Sequence, residues 1–209
     1  MNIAVLVSGN GSNLQALLDA EKSGELSGGR IVLIVSDNPR AFALERAKKR
    51  GIKTVVLEKG HYKSREEYDA ALIKTLKADK IELVVLAGYM KILSERFIDE
   101  YEKRVLNIHP ALLPSFKGAN AIKDALKSGV KVTGVTVHFV EKEIDSGPVI
   151  LQRSVPIEEK DTLSSLEGKI HAAEHELYPE VIRLFVEGRL KIENRVVKIK
   201  EEQNDVDEN

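Results

Sequence analysis

Five short apolar runs alternate with longer helical patterns in the first half of the chain, and this alternation constrains the fold most. The runs cover residues 2–7, 31–35, 54–57, 83–87 and 105–108. They are almost continuously apolar, as expected of strands that are buried on both faces, whereas strands with one wet face alternate in polarity. Helical patterns between them, such as residues 43–50, are typical of βαβ units. The sequence therefore predicts an α/β fold with a doubly wound, mostly parallel sheet.

The pattern changes after the fifth run. Residues 133–140 alternate in polarity, and residues 148–153 form a neighbouring run. These two segments predict an antiparallel extension of the sheet, because one-sided burial is typical of antiparallel strands. The spacing of apolar residues then predicts a long helix from Thr162 to Glu187.

The end of the chain is expected to add little to this sheet. A hairpin-like pair is predicted at residues 190–192 and 196–199. We expect a single domain over residues 1–193. Residues 194–209 are expected to hold a C-terminal strand and an acidic tail that frays in solution.

The composition narrows the class of protein. Hydrophobic residues are 43% and charged residues 31% of the chain, which fits a soluble globular protein. The net charge of −1 gives no overall attraction to nucleic acid or to an anionic membrane, so we expect a small-molecule partner and neither of those. The lack of cysteine excludes disulfides and thiol chemistry. The apolar N-terminus is too short for a signal peptide, and we expect a cytoplasmic protein.

A glycine-rich turn at residues 9–13 joins the first strand to the first helix. Gly9 and Gly11 let the backbone approach an anion, and the amides of a helix N-terminus would hold a phosphate. Ser12 and Asn13 add side-chain donors. The turn lacks the ending of a Walker loop and the third glycine of a dinucleotide fingerprint. It predicts a phosphate site, and a turn that serves only for tight packing is the alternative.

Three polar residues follow strand ends. Asn107 and His109 are two residues apart, and Asp145 lies in a later Asp-Ser-Gly-Pro sequence. In an extended segment that spacing places both side chains on one face, and Pro110 keeps His109 extended. A carboxylate that meets the imidazole would favour its charged form, and an amide beside an imidazolium stabilises negative charge on a carbonyl oxygen. Singly, these residues could be a strand cap, a packed histidine and a turn residue; together they indicate acyl transfer.

Other features are less specific. Residues 88–93 could form an apolar wall for a flat heterocycle, or an ordinary loop packed on the core. His171 and His175 have a spacing that could bind a metal, but no third ligand is evident, so we expect no metal. His138 is predicted to be packed in its strand. The Leu113–Pro114 bond is hypothesised to be cis.

Longer motifs resemble a known family. They are the opening Ser-Gly-Asn-Gly-Ser-Asn-Leu-Gln at residues 8–15, the block at residues 86–93, and the Asn-x-His-Pro segment at residues 107–114. Together with residues 118–121, 133–140 and 145–150, they are similar to the folate-dependent phosphoribosylglycinamide formyltransferases, over residues 1 to about 193. In this resemblance Asn-x-His-Pro and Asp-x-Gly-Pro belong to all enzymes that use 10-formyltetrahydrofolate with this domain. The opening motif narrows the match to the ribonucleotide enzymes.

The resemblance implies the formyltransferase fold. It also implies formyl transfer from 10-formyltetrahydrofolate to the amine of glycinamide ribonucleotide, in purine biosynthesis, by a monomer or homodimer. By position, it implies a catalytic set of Asn107, His109 and Asp145. It implies a ribonucleotide site formed by Gly11, Ser12, Asn13, His171, Ala172, Ala173 and Glu174. It implies a folate site formed by Arg65, Met90, Lys91, Ile92, Leu93, Asn107, Glu141, Lys142, Glu143, Ile144 and Asp145.

Within these sites the resemblance places Arg65 at the carboxylate tail of the folate and Glu174 at the ribose hydroxyls. Lys91 stands where an arginine is common, which could alter folate affinity, and Ala111 replaces a serine of some relatives.

Two other functions stay open. The first is a formyltetrahydrofolate enzyme with charged tRNA or water as acceptor, for which we expect a further domain. The second is a non-catalytic sugar-phosphate or folate sensor, which has no need of the three polar residues.

Overall fold

The protein is described by a computed structural model over residues 1–201, and its main element is a seven-stranded sheet. The strands are β1 (Asn2–Val7), β2 (Arg30–Ser36), β3 (Lys53–Val56), β4 (Leu83–Leu86), β5 (Val105–His109), β6 (Val132–Phe139) and β7 (Val149–Pro156). The helices are α1 (Ser12–Ser23), α2 (Phe42–Lys49), α3 (Arg65–Ala78), α4 (Glu95–Glu100), α5 (Ala121–Ser128) and α6 (Leu163–Val186), with a short 3₁₀ helix at Lys59–His61. A separate hairpin pairs β8 (Leu190–Glu193) with β9 (Val196–Ile199).

The order of the strands in the sheet is β3-β2-β1-β4-β5-β6-β7. Strands β1 to β5 run parallel, while β6 is antiparallel to both β5 and β7. The predicted doubly wound, mostly parallel sheet with an antiparallel extension is confirmed. The strand order reverses between β1 and β4, and ligands of such sheets bind beyond the carboxyl ends of the strands at that point.

Two hydrophobic cores explain the continuous apolar runs. Alternate residues of a strand face opposite sides of a sheet, so in β1 the side chains of Ile3 and Val5 join one core, and those of Ala4 and Leu6 join the other. Helices α1, α2 and α6 cover the first core, and α3 and α4 cover the second. Most residues of the central strands therefore have to be apolar.

The helix that carries part of the site begins and ends close to the predicted positions. Helix α6 spans Leu163–Val186, and its first turn is closed by a capping box in which Thr162 and Ser165 exchange hydrogen bonds.

Helix α3 begins after Ser64, whose Oγ accepts from the amide of Glu67. The Glu67 carboxylate accepts from the amide of Lys63 at 2.7 Å. The start of α3 thus depends on local hydrogen bonds that a sequence motif predicts.

The predicted hairpin near the end of the chain is confirmed, with Glu193 and Val196 paired at its tip. Position 193, where we expect the transferase domain to end, falls within this hairpin, and that boundary stays a prediction. Residues 202–209 of the predicted acidic tail lie outside the described residues.

The Leu113–Pro114 bond is cis, as hypothesised. None of the helices in residues 1–201 is long and apolar enough to cross a membrane.

Tyr178 joins α6 to the sheet beside the strand reversal. Its fully buried hydroxyl donates to the carbonyl oxygens of Leu86 at 2.9 Å and Leu106 at 3.1 Å. Burial raises the pKa of Tyr178 well above its ordinary value, so the hydroxyl keeps its proton. The contact fixes α6 against β4 and β5.

We expect Tyr178→Phe to lower the free energy of unfolding by about 1–3 kcal/mol, because buried carbonyls lose their donor. Urea denaturation monitored by circular dichroism measures the change. Tyr101→Phe is the matched control, since the ring of Tyr101 is equally buried and stacks on Phe97, but within residues 1–201 its hydroxyl has no hydrogen-bond partner. Equal losses in the two variants would show that the bridge to the sheet contributes nothing.

Candidate active site

A cavity of about 600 Å³ opens at the carboxyl ends of β1, β4 and β5. Its lining includes nearly all of the predicted site residues. These are Gly11, Ser12, Asn13, Met90, Lys91, Ile92, Leu93, Asn107, His109, Glu141, Lys142, Glu143, Ile144, Asp145, His171 and Glu174. Three predicted residues do not line it: Ala173 is packed in the core, Ala172 is exposed on α6, and Arg65 lies at the rim, where its guanidinium contacts the carbonyl oxygen of Leu93.

His109 and Asp145 meet at the floor of the cavity. His109 Nδ1 lies 3.4 Å from Asp145 Oδ2, and both side chains are buried. His109 Nε2 lies 2.8 Å from the carbonyl oxygen of Phe116. A carbonyl oxygen only accepts, so Nε2 carries a proton and donates to it. The ring is therefore held between the Asp145 carboxylate and the Phe116 carbonyl.

The carboxylate is itself held in place. Asp145 Oδ2 accepts from the backbone amide of Gly118 at 2.9 Å. Asp145 has a positive φ of 49°, a conformation that is rare for residues other than glycine and common at functional sites. This hydrogen bond joins the loop at Gly118 to the loop at Asp145, next to His109.

His138 is a site residue that the sequence interpretation missed. The pairing of β5 with β6 places Asn107 directly opposite His138. Asn107 Nδ2 lies 3.2 Å from His138 Nε2, and His138 Nδ1 lies 2.7 Å from the carbonyl oxygen of Phe139. Since Nδ1 donates to that carbonyl, Nε2 is left as an acceptor for the Asn107 amide. His138 is packed, as predicted, but it also orients the amide.

Burial keeps His138 in the form that this role needs. Desolvation lowers the pKa of His138 below its ordinary value of 6.5, although the Phe139 carbonyl and Asp145 act in the opposite direction. Asp145 Oδ1 lies 3.8 Å from His138 Nε2. A proton on Nε2 would remove the acceptor for Asn107. The neutral ring therefore maintains the amide of Asn107 with its NH₂ group beside the cavity floor.

The glycine-rich turn lies at one end of the cavity. Gly11 has φ 76°, and a Cβ there would lie 2.6 Å from Ala43 Cβ, so tight packing accounts for this glycine. Helix α1 begins at Ser12 without a side-chain cap, which leaves its first amides available for an anion. The predicted phosphate site and the alternative of a packed turn are thus compatible.

A buried carboxylate lies beside this turn. Glu174 on α6 is 4% exposed, and its Oε2 accepts from Asn13 Nδ2 at 3.0 Å and lies 2.8 Å from His171 Nδ1. The hydrogen bond to Glu174 raises the pKa of His171. Asn13 Oδ1 is buried with no partner in the described part of the chain. Hydrogen-bond donors and acceptors are therefore both held at this end of the cavity.

The opposite end is apolar and open to solvent. Met90, Ile92 and Ile144 are 67%, 55% and 52% exposed although they line the cavity. Exposed apolar side chains that cluster at a cavity are typical of a binding surface for an apolar ligand. Lys91 Nζ lies 3.4 Å from Asp37 Oδ2, a carboxylate that is almost fully buried. The charge of Lys91 is thus matched by a buried carboxylate.

The rings of His171 and His175 stack with their centroids 6.3 Å apart. Across residues 1–201, no group of three or more histidine, aspartate or glutamate side chains is placed to hold a metal ion. The polar side chains at the cavity floor are an imidazole, a carboxylate and an amide.

This fold and site define a class of protein: a doubly wound α/β protein in which an acid, an imidazole and an amide lie between a glycine-rich turn and an apolar wall. The family described as Formyl transferase matches residues 1–182. The phosphoribosylglycinamide formyltransferase of Escherichia coli (strain K12) is 45% identical over 192 residues, which are 92% of this chain and 90% of that protein. The chain belongs to the formyl transferase family, and within it to the phosphoribosylglycinamide formyltransferases.

Solved structures and larger relatives agree with this placement. A crystal structure of glycinamide ribonucleotide transformylase 1 from Symbiobacterium toebii has a TM-score of 0.94 and 47% identity, and covers 96% of this chain and 94% of that chain. The trifunctional purine biosynthetic protein adenosine-3 of Homo sapiens is 43% identical over 96% of this chain. This chain spans 14% to 20% of the length of three such trifunctional relatives.

Two of the histidines with shifted pKa values, His138 and His171, provide a test of the site. In an imidazole NMR titration we expect His138 to titrate below 6.5 and His171 above it. In Glu174→Gln the midpoint of His171 should fall, because a neutral amide stabilises the imidazolium less than a carboxylate does. His138 should not change. A His171 midpoint that is the same in both proteins would contradict the described contact.

The same shifts predict opposite effects of pH on stability. Folded His138 binds its proton less tightly than the unfolded chain, so its contribution is lost as the pH falls from about 6.5 through the lowered folded value. Folded His171 binds its proton more tightly, so its contribution is present below about 6.5 and is lost as the pH rises through the raised folded value.

Proposed function

We propose that this chain transfers the formyl group of 10-formyltetrahydrofolate to the glycine amine of glycinamide ribonucleotide. The products are formylglycinamide ribonucleotide and tetrahydrofolate, and the reaction serves de novo purine biosynthesis. The observation that carries the proposal is the convergence of Asn107, His109 and Asp145 in one cavity with unlike ends. Its relatives named phosphoribosylglycinamide formyltransferase support the choice of acceptor. We expect a cytoplasmic monomer or homodimer that binds neither nucleic acid nor membrane.

The polar end of the cavity suits the ribonucleotide. The uncapped amides at the start of α1, with Ser12 and Asn13, offer donors to a phosphate. The Glu174 carboxylate accepts hydrogen bonds, as ribose hydroxyl groups require. His171 Nδ1 lies 2.8 Å from that carboxylate and holds it in place. This end would hold the sugar phosphate and direct the glycine amine toward the cavity floor.

The apolar end suits the folate. Met90, Ile92 and Ile144 would cover the faces of a flat heterocycle, while the backbone of residues 90–93 and 141–145 offers polar groups to its edges. Arg65 lies just outside, against the Leu93 carbonyl at the end of the wall. A guanidinium at that rim is placed to bind a carboxylate tail that leaves the cavity. The residues present therefore fit a reduced folate.

The chemistry required of the protein is stabilisation of charge and movement of one proton. A bond forms between the amine nitrogen and the formyl carbon, the bond from that carbon to the folate nitrogen breaks, and a proton passes from the amine to the departing nitrogen. Negative charge develops on the formyl oxygen. Asn107 Nδ2 and His109 can donate to that oxygen, and each such donor contributes about a hundredfold or more to the rate.

Asp145 and Phe116 hold His109 in place before the reaction. Asp145 lies 3.4 Å from Nδ1 and fixes the orientation of the ring. Nε2 donates to the Phe116 carbonyl oxygen at 2.8 Å, so the formyl oxygen would have to share or replace this acceptor. His109, or a water held by Asp145, would then carry the proton to the folate nitrogen.

The decisive experiment measures both products, by absorbance for tetrahydrofolate and by mass spectrometry for the ribonucleotide. We expect formylated ribonucleotide only when glycinamide ribonucleotide is present. His109→Ala should lower kcat by about a hundredfold or more, because a donor to the developing charge is lost. His61→Ala, at an exposed histidine of the 3₁₀ helix, is the control and should keep the full rate.

Other outcomes would indicate another function or another catalytic set. Release of tetrahydrofolate without the ribonucleotide would indicate water as acceptor. Tight binding of both ligands without turnover would indicate a sensor. A near-normal rate in His109→Ala would refute the assignment of the catalytic set.

A substitution at Glu174 tests whether the two substrates bind at different ends of the cavity. We expect Glu174→Gln to raise KM for glycinamide ribonucleotide by about tenfold or more, because hydrogen bonds to a charged acceptor are replaced by weaker ones. KM for the folate should stay within about twofold. Glu176→Gln is the control, since Glu176 lies on the same helix but pairs with Arg153. An equal rise in KM for both substrates would contradict a ribose-binding role.

A further inference from the structure

The tip of the β8–β9 hairpin carries an unusual residue. The pairing of Glu193 with Val196 leaves two residues in the turn, Asn194 and Arg195, and both have positive φ, 47° and 69°. Such two-residue turns favour Asn followed by Gly, because both positions are left-handed. Arginine at the second position is strained, and strain of this kind persists where other contacts require the residue.

Those contacts lie on the loop that bears Asp145. Arg195 Nη1 lies 2.9 Å from Glu141 Oε2, and Nη2 donates to the carbonyl oxygen of Ser146. Glu141 and Ser146 are the two ends of this loop, residues 141–146, which we call the acid loop. A planar guanidinium presents its donors in a fixed fork, so one side chain can hold two acceptors at a set separation.

The acid loop has little freedom at its base. A Cβ on Gly147 would lie 1.8 Å from the carbonyl oxygen of Phe139, so the two strands leaving the loop are in close contact there. The amide of Phe139 donates to the Pro148 carbonyl at 3.0 Å. Lys142 pairs with Glu95 on α4. Arg195 adds a contact from a third direction, outside the main sheet.

We propose that Arg195 is a positioning residue that joins the two ends of the acid loop and thereby sets Asp145 against His109 and Ile144 against the folate. The Arg195 side chain is 63% exposed, so its ion pair with Glu141 alone would contribute little. The second contact, to a backbone carbonyl, is what makes the arrangement specific to arginine. The consequence for folate rests on the proposed function, whereas the contact itself does not.

Arg195→Gly isolates this role. Glycine adopts the left-handed conformation without strain, so the hairpin should form at least as well while the clamp is lost. Arg195→Lys keeps the charge but not the fork, and should behave like the glycine variant. Lys198→Ala is the matched control, because Lys198 pairs with Glu193 within the same hairpin and does not reach the acid loop.

Two measurements test the proposal. In Arg195→Gly we expect KM for 10-formyltetrahydrofolate to rise about three- to tenfold, the ratio for loss of one net hydrogen bond, with KM for glycinamide ribonucleotide unchanged. Hydrogen–deuterium exchange of the peptide spanning residues 140–147, measured without ligands, should be faster by a similar factor. Lys198→Ala should match the unsubstituted protein in both.

The outcomes separate the two proposals. Exchange and folate KM that are unchanged in Arg195→Gly would overturn the clamp. Faster exchange in that variant, in a protein that forms no formylated ribonucleotide at all, would support the clamp and refute the proposed function. Full rescue by Arg195→Lys would show that charge alone acts, and would also overturn the clamp.

Discussion

The antiparallel pairing of β6 with β5 is the constraint on which the site depends. In a wholly parallel sheet the strand beside β5 would run in the same direction and would be reached by a crossover connection. A different residue would then lie beside Asn107. Here β6 runs back along β5 and places His138 directly across from Asn107. The chain that leaves β6 becomes the acid loop and returns Asp145 to His109. One change of strand direction thus brings the three polar groups together.

The same pairing makes the polar cluster tolerable inside the protein. Buried charges and amides are costly unless each has a partner. His138 accepts from Asn107 and donates to the Phe139 carbonyl, while His109 lies between Asp145 and the Phe116 carbonyl. The two imidazoles and the carboxylate therefore have partners within the protein. These contacts orient both rings and the carboxylate.

Features set by local patterns could be predicted from the sequence, and features set by register could not. The parallel sheet, its antiparallel extension and the long helix α6 follow from the periodicity of apolar residues. The meeting of His109 with Asp145 follows from the rule that loops at strand ends converge. The roles of His138, Phe116 and Arg195 depend on which residues face one another across strands or loops distant in sequence. An alternating strand or a polar turn contains no signal of such a partner.

Under the role proposed for His109, the Phe116 carbonyl explains how the site discriminates between ground state and transition state. A neutral carbonyl already accepts the Nε2 proton of His109, so exchanging it for the neutral oxygen of a bound formyl group would gain little. Once that oxygen carries negative charge, the same proton makes a stronger hydrogen bond, because charge on the acceptor adds to the attraction. Only interactions that strengthen toward the transition state accelerate a reaction. A resting acceptor of ordinary strength thus directs the binding energy of His109 to the step that needs it.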